Sequence, residues 1–208
     1  MAKGEGRTVQ EWLKNVVLES ETVRLEPLRP EHEEALGLAA QDGELWRLWF
    51  TSVPAPDKTG AYISTALRDK EAGLALPFVV VHKPTQLVIG CTRFCNAVPQ
   101  HRRVEIGYTW YAASHQRSSV NTECKQLLLT HAFESLQAIA VEFRTHWHNQ
   151  ASRNAIARLG AKQDGVLRNH SIEADGAYRD TVVFSILESE WPSVKKSLAH
   201  KLSRYRAD

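Results

Sequence analysis

Tyr111-Ala112-Ala113-Ser114-His115-Gln116-Arg117-Ser118-Ser119-Val120-Asn121-Thr122-Glu123-Cys124-Lys125 is the stretch whose reading decides this chain. Before it, Arg103-Val104-Glu105-Ile106-Gly107-Tyr108-Thr109-Trp110-Tyr111 reads as a strand. After it, residues 120–137 carry Leu127, Leu128, His131, Ala132, Phe133 and Leu136 at helical spacing. A strand therefore runs through a short polar loop into a helix. Such a junction presents unpaired backbone N–H groups at the positive end of a helix dipole, which suits a phosphate or pyrophosphate. Arg117 can add a charge-assisted hydrogen bond to the same anion. The residues equally suit a self-capped helix, with Ser118 or Ser119 as the cap and nothing bound. A Walker-type loop is excluded, because Gly-Lys-Ser/Thr occurs nowhere in the chain.

Upstream, Val23-Arg24-Leu25-Glu26-Pro27-Leu28 alternates as a half-buried strand does, and Pro30-Glu31-His32-Glu33-Glu34 opens a helix. Residues 42–59 read as irregular, with Trp46, Trp49, Phe50, Pro54 and Pro56 suited either to lining a pocket or to plugging the core edge. A helix over 59–72 stops at Gly73. Two strands, 78–82 and 87–94, flank the turn Lys83-Pro84-Thr85-Gln86. Downstream come a strand over 139–147 and a helix over 152–159 stopped by Gly160. Strands over 165–172 and 178–187 then meet at Asp175-Gly176. This order predicts an α+β (mixed α/β) domain, a sheet with helices packed on its faces. The division expected is a polar lead-in over 1–15 with a short helix near 11–16, a body over 16–192, and a basic helical tail over 193–208.

The 208 residues are 43% hydrophobic and 24% charged, which fits one folded domain and not a disordered chain or a rod. A net charge of +2 gives no electrostatic case for nucleic acid. The longest apolar run, 74–81, contains Pro77 and is too short to span a membrane, and residues 1–10 carry no apolar signal. The expected location is cytoplasmic. Cys91 and Cys95 are four residues apart on one strand, roughly 13 Å, too far for a disulfide. With Cys124 they read as buried structural thiols. His101 lies nearby, but a second ligand pair is missing, so no metal is expected.

The second informative segment is Asn149-Gln150-Ala151-Ser152-Arg153-Asn154-Ala155-Ile156-Ala157-Arg158-Leu159-Gly160. Together with Gln116-Arg117-Ser118-Ser119-Val120-Asn121, with Glu105-Ile106-Gly107-Tyr108, and with the closing run Asp164-Gly165-Val166-Leu167-Arg168, Asp175-Gly176, Arg179 to Ile186, it resembles the GNAT acyltransferases. The likeness is closest to the branch holding the ribosomal-protein N-terminal acetyltransferases of the RimJ/RimL type. It covers roughly residues 22–191. The sequence departs from the family loop at Ser119, where a glycine is expected, and carries Asn121 at the last small position.

The resemblance implies a GNAT fold: a mostly antiparallel twisted sheet of six to seven strands, helices on both faces, and a splay between the two central strands, 105–111 and 139–147. It implies acetyl-CoA as co-substrate. The pyrophosphate would lie on Arg117, Ser118, Ser119, Val120, Asn121 and Thr122 beside Gln116, the pantetheine along Trp110 and Tyr111, and the far end on Asn149 and Ser152. It implies direct transfer of an acyl group, acetyl above all, to a primary amine of a protein N-terminus or a small molecule. Glu105 is the candidate base through a water, and its other reading is a carboxylate paired with Arg102, Arg103 or Arg93. Ser152 is the candidate donor to the leaving thiolate, and its other reading is a helix cap; Tyr111 and Tyr178 stand in reserve. His146 and His148 read as structural or substrate-side groups. Two rivals remain: transfer of a larger acyl group such as succinyl, and a non-catalytic scaffold with a weakened cofactor loop. Homodimers are frequent among the relatives.

Overall fold

The computed structural model describes residues 12–205. Its strands are β1 (Leu18–Glu19), β2 (Val23–Pro27), β3 (Ala75–His82), β4 (Leu87–Val98), β5 (Arg103–Tyr111), β6 (Ala140–His146), β7 (Lys162–Ile172) and β8 (Tyr178–Leu187). The helices are α1 (Glu33–Gln41), α2 (Thr59–Glu71), α3 (Val120–Thr130), α4 (Gln150–Leu159) and α5 (Trp191–Tyr205). All the described strands join one sheet in the order β1-β2-β3-β4-β5-β6-β8-β7. Every neighbouring pair is antiparallel except β5 and β6, which run parallel.

The sheet has eight strands where six to seven were expected. The addition is β1, two residues long and therefore too short to show any alternation in sequence.

Both faces of the sheet centre are covered, which is why β3 reads as a continuous apolar run. Leu36, Ala39 and Ala40 of α1 and Ile63 and Ala66 of α2 pack on Val79, Val81, Cys91 and Trp110. On the other face Cys124, Leu128, Ile156, Leu159, Val194 and Leu198 of α3, α4 and α5 pack on Phe78, Val80, Phe94, Ile106, Val141 and Phe143. The basic C-terminal helix thus contributes to the core through Trp191, Val194, Leu198 and Leu202, while Lys195 and Lys196 face outward. Of the residues read as a lead-in, those before Trp12 lie outside the described range. Trp12 and Leu13 are buried, and the Trp12 indole donates to the Leu136 carbonyl at 2.9 Å. The helix read over 120–137 is α-helical only to Thr130; His131–Ser135 winds more loosely as a π turn.

One irregularity positions the site. Cys91 lies opposite Trp110 and Arg93 opposite Gly107, so β5 spends three residues where β4 spends two. The extra residue is absorbed at Tyr108, whose φ is 51°. A bulge of this kind bends its strand and switches the face that later side chains occupy. Accordingly Ile106 and Tyr111, five residues apart, both enter the core on the α3 face. The pairing of β5 with β6 is confined to Arg103↔Ala140, Val104↔Val141 and Glu105↔Glu142. Beyond that point the two strands separate.

Gly90 makes the bulged strand possible on its β4 side. A Cβ there would stand 2.1 Å from the Trp110 carbonyl oxygen, a backbone atom that cannot swing away. Gly90→Ala should therefore cost about 2–3 kcal/mol through overpacking, lowering Tm by about 4–10 °C in a scanning calorimetry comparison.

Candidate active site

The open end of the split is built by the two segments that follow β5 and β6. After β5, the Gln116 side-chain amide donates to the Tyr111 carbonyl at 2.9 Å, holding the loop against the strand end. The Ser118 hydroxyl donates to the His115 carbonyl at 2.6 Å and accepts a long contact of 3.4 Å from the Val120 N–H. Ser119 occupies the N-cap position of α3 without a side-chain cap, so neither serine fully caps the helix. Among the described residues, the N–H groups of Arg117, Ser118 and Ser119 make no well-formed hydrogen bond. Arg117 is exposed and takes the left-handed conformation, φ 58°. Ser119, where the family glycine is missing, has φ −66° and ψ −22°. Any residue adopts that conformation, so the serine carries no backbone strain.

Two anchors of this loop were missed in the sequence. Asp42, just after α1, accepts from the Ser114 N–H at 3.1 Å and the Ser114 hydroxyl at 2.5 Å, and its carbonyl accepts from the Ala113 N–H. Glu123, in the first turn of α3, accepts from the Ser20 hydroxyl at 2.5 Å, the Thr22 hydroxyl at 2.6 Å and the Thr22 N–H at 3.2 Å. Burial alone would raise its pKa, but the hydrogen bonds from Ser20, Thr22 and Ser119 outweigh it and hold the carboxyl below 4.5. Both partnerships span distant parts of the chain, and nothing in the local pattern marks them.

After β6, Asn149 caps α4: its side-chain oxygen accepts from the Ser152 N–H at 3.0 Å. The cap of this helix is thus Asn149, and Ser152 supplies only its backbone donor. The Ser152 hydroxyl makes no hydrogen bond among the described residues and is half-buried. Across the split, Trp110 and Tyr111 are buried; among the described residues the Trp110 indole N–H and the Tyr111 hydroxyl have only the thiols of Cys91 and Cys124 as polar neighbours. Burial holds the Tyr111 phenol well above its ordinary pKa, so it stays protonated. Tyr178 lies at the exposed tip of β8, 70% accessible.

Glu105 sits at the closed end, where β5 and β6 still pair, and is 6% exposed. Its carboxylate accepts from the Asn96 side chain at 2.8 Å and faces the Arg144 Nε at 3.3 Å. None of Arg102, Arg103 and Arg93 is its partner. Arg103 pairs with Glu142, and Arg93 pairs with Asp69 at 3.5 Å beneath the Tyr108 ring. Burial raises the Glu105 pKa above 4.5, partly offset by Asn96 and Arg144. Arg144 also binds Glu142 at 3.1 Å, and both line a groove of about 520 Å³ on the sheet face that α1 and α2 leave uncovered.

The aromatic segment lies on the same face, at the other end of the split. Trp49 meets His146 edge-on at 4.9 Å and His148 at 5.6 Å. Trp49 remains 62% exposed, so it borders an opening and does not plug the core. His146 Nδ1 accepts from the His148 N–H at 3.0 Å, and its Nε2 faces Glu173 at 3.5 Å. Burial lowers the His146 pKa, with Arg179 adding to the effect. Among the described residues, no group of three or more His, Cys, Asp or Glu is placed to hold a metal ion.

Residues 22–162 match the family model described as acetyltransferase (GNAT) domain, and the chain belongs to the GNAT acetyltransferase family. Its curated relatives include YdaF of Bacillus subtilis (strain 168), which carries the provisional name of ribosomal N-acetyltransferase. The two are 27% identical over 185 residues, covering 84% of this chain and 94% of YdaF. A crystal structure from T. thermophilus, provisionally called an acetyltransferase, superposes with a TM-score of 0.80 at 34% identity, covering 92% of this chain and 99% of that one. Mycobacterium smegmatis RimJ, in complex with CoA-disulfide, shares the fold with a TM-score of 0.72 at 23% identity, covering 90% and 93%. No helix among the described residues is long and apolar enough to cross a membrane.

The Glu123 anchor can be tested through pH. Its folded pKa is depressed, so its stabilising effect is present above pH 4.5 and is lost as pH falls through the lower folded value. Glu123→Gln should lower the urea midpoint at pH 7, and the gap from wild type should narrow between pH 5 and 3.

Proposed function

We propose that this chain transfers an acetyl group from acetyl-CoA to a primary amine by direct attack. The observation that carries the reading is the early stop in β5–β6 pairing, which leaves residues 106–111 of β5 with an unpaired strand edge toward β6. A chain of amides such as pantetheine can pair with that edge along Trp110 and Tyr111 as an added strand does. The loop amides of Arg117, Ser118 and Ser119, with the first turn at Val120, Asn121 and Thr122, suit a pyrophosphate at the mouth. Gln116 fixes that loop, and Asn149 and Ser152 flank the other side. The acetyl thioester supplies an activated carbonyl; the protein supplies alignment and proton transfer.

Glu105 suits the base. It is a buried carboxylate with a raised pKa, closer to neutrality than a free one, and it sits where the split closes. Through a water it accepts the proton that the amine loses on forming the C–N bond. The Ser152 hydroxyl, free of other hydrogen bonds among the described residues, donates a hydrogen bond to the sulfur as the C–S bond breaks and coenzyme A leaves as the thiolate. The unstrained Ser119 argues for a working cofactor loop over a degraded scaffold. The acceptor approaches on the face bordered by Trp49 and His146. A protein α-amine fits the modest base: deprotonation at pH 7 costs about 1 kcal/mol, against about 4.6 kcal/mol for a lysine. The name borne by YdaF makes a ribosomal protein N-terminus the first acceptor to try.

Thermal shift and a thiol-release assay over peptides and small amines test this reading. Acetyl-CoA at a hundredfold excess over Kd should stabilise the protein by about 2.7 kcal/mol; no shift at millimolar concentration, with no thiol release, would sink the proposal. Ser119→Gly should bind acetyl-CoA as tightly as wild type or more so. In Glu105→Gln, kcat should drop about 100-fold with the acetyl-CoA KM little changed. Wild-type activity should fall as pH drops through the raised Glu105 pKa, and that acid limb should vanish in the variant.

A further inference from the structure

Lys125 has no place in the mechanism above, yet among the described residues it is a charged group buried in the core. It lies on α3 among core residues and is only 5% exposed. Its ammonium donates to the Thr109 hydroxyl at 2.5 Å, and that hydroxyl meets Thr92 at 2.7 Å. Thr109 directly follows Tyr108, the residue that absorbs the bulge in β5. Among the described residues Lys125 forms no ion pair. The titratable groups acting on it are Cys91 and Cys95 of β4 and Cys124 of its own helix; Glu105, Arg93 and Arg144 act on Cys95 and not as its partners. Burial lowers its pKa to about 8, against a smaller opposing effect of the three thiols.

A buried cation without a counter-ion weakens a fold, and a methionine would fill the same space without that penalty. The lysine therefore suggests a purpose beyond packing. Its target is the one turn of β5 that gives the split its shape. It also stands behind the stretch along which the acyl group lies, if the transfer reading above holds.

We propose that Lys125 is a positioning residue for acyl transfer: bonded to Thr109, its buried ammonium fixes the bulged turn of β5 and sets a positive charge behind the carbonyl at which negative charge develops. Attack on the thioester moves electrons onto the carbonyl oxygen and then onto sulfur. A fixed cation in a poorly solvated site stabilises that charge more than it does the neutral ground state. The proposal rests on the transfer reading, and the test separates the two.

Lys125→Met is compared with wild type in stability and in kinetics. Without cofactor, the variant should melt about 2–6 °C higher at pH 7. The folded pKa of about 8 lies below the ordinary 10.5, so the unfolded chain holds more protons between those values. Wild-type stability should therefore rise through that window, and the variant's advantage should shrink by pH 10. The variant's kcat should fall at least tenfold with the acetyl-CoA KM within twofold; wild-type kcat should decline as pH rises through about 8, and the variant should lack that basic limb. Thr109→Val, which keeps the lysine, should also lose kcat at constant KM, and it decides the matter if Lys125→Met does not fold. Wild-type kcat in either folded variant, or an unchanged basic limb in Lys125→Met, overturns the proposal. A wild type that neither binds nor consumes acetyl-CoA overturns the transfer reading, and this proposal falls with it.

Discussion

Three residue pairs hold β5 to β6, and the molecule is organised around the point where that pairing ends. Two parallel strands remain in register only while their twist and residue spacing agree. The extra residue at Tyr108 breaks the agreement on β5, while β6 continues straight along β8 through seven matched pairs. A strand edge that opens inside a protein leaves donors and acceptors that water or a ligand must satisfy. The split therefore presents an unpaired strand edge, and the surrounding elements keep it open. Gly90 lets β4 approach the bulge, Asp42 ties the end of α1 to the loop after β5, and Glu123 ties α3 to the β1–β2 turn.

Desolvation acts on the charged groups near the split in opposite senses, and hydrogen bonding decides the outcome. Glu105 and Lys125 are both deeply buried, and burial pushes each toward its neutral form: the acid upward, the amine downward. Glu123 experiences the same desolvation but accepts enough hydrogen bonds to stay ionised. A carboxylate anchored by four donors suits a structural tie. A carboxylate with one amide and one guanidinium partner keeps the capacity to take a proton. That contrast separates two glutamates of equal appearance in the sequence.

The loop after β5 illustrates how a departure from a family pattern is tolerated. The left-handed turn falls on Arg117, leaving Ser119 in ordinary helical geometry. Glycine is therefore not required at 119 for backbone reasons. The segment over 42–59 shows a complementary case, where composition alone could not choose between a pocket wall and a core plug. Packing chose: Trp49 rests its edge on His146 while most of its surface stays accessible.

Local order was legible in the sequence because it depends on neighbours. The strand before Tyr111, the helix start at Val120, the Gly160 stop and the Asp175-Gly176 turn each reflect short-range backbone chemistry, and those boundaries stand near where the signals place them, while the helix after Val120 gives way to a π turn at His131. The candidate site residues are proposals drawn from their order along the chain. What the sequence withheld is pairing across distance. Asn96 and Arg144 reach Glu105, Ser20 and Thr22 reach Glu123, Asp42 reaches Ser114, and Thr109 receives Lys125. No local pattern encodes such partners, because burial and orientation exist only once the sheet has formed and its bulge has chosen which side each residue faces.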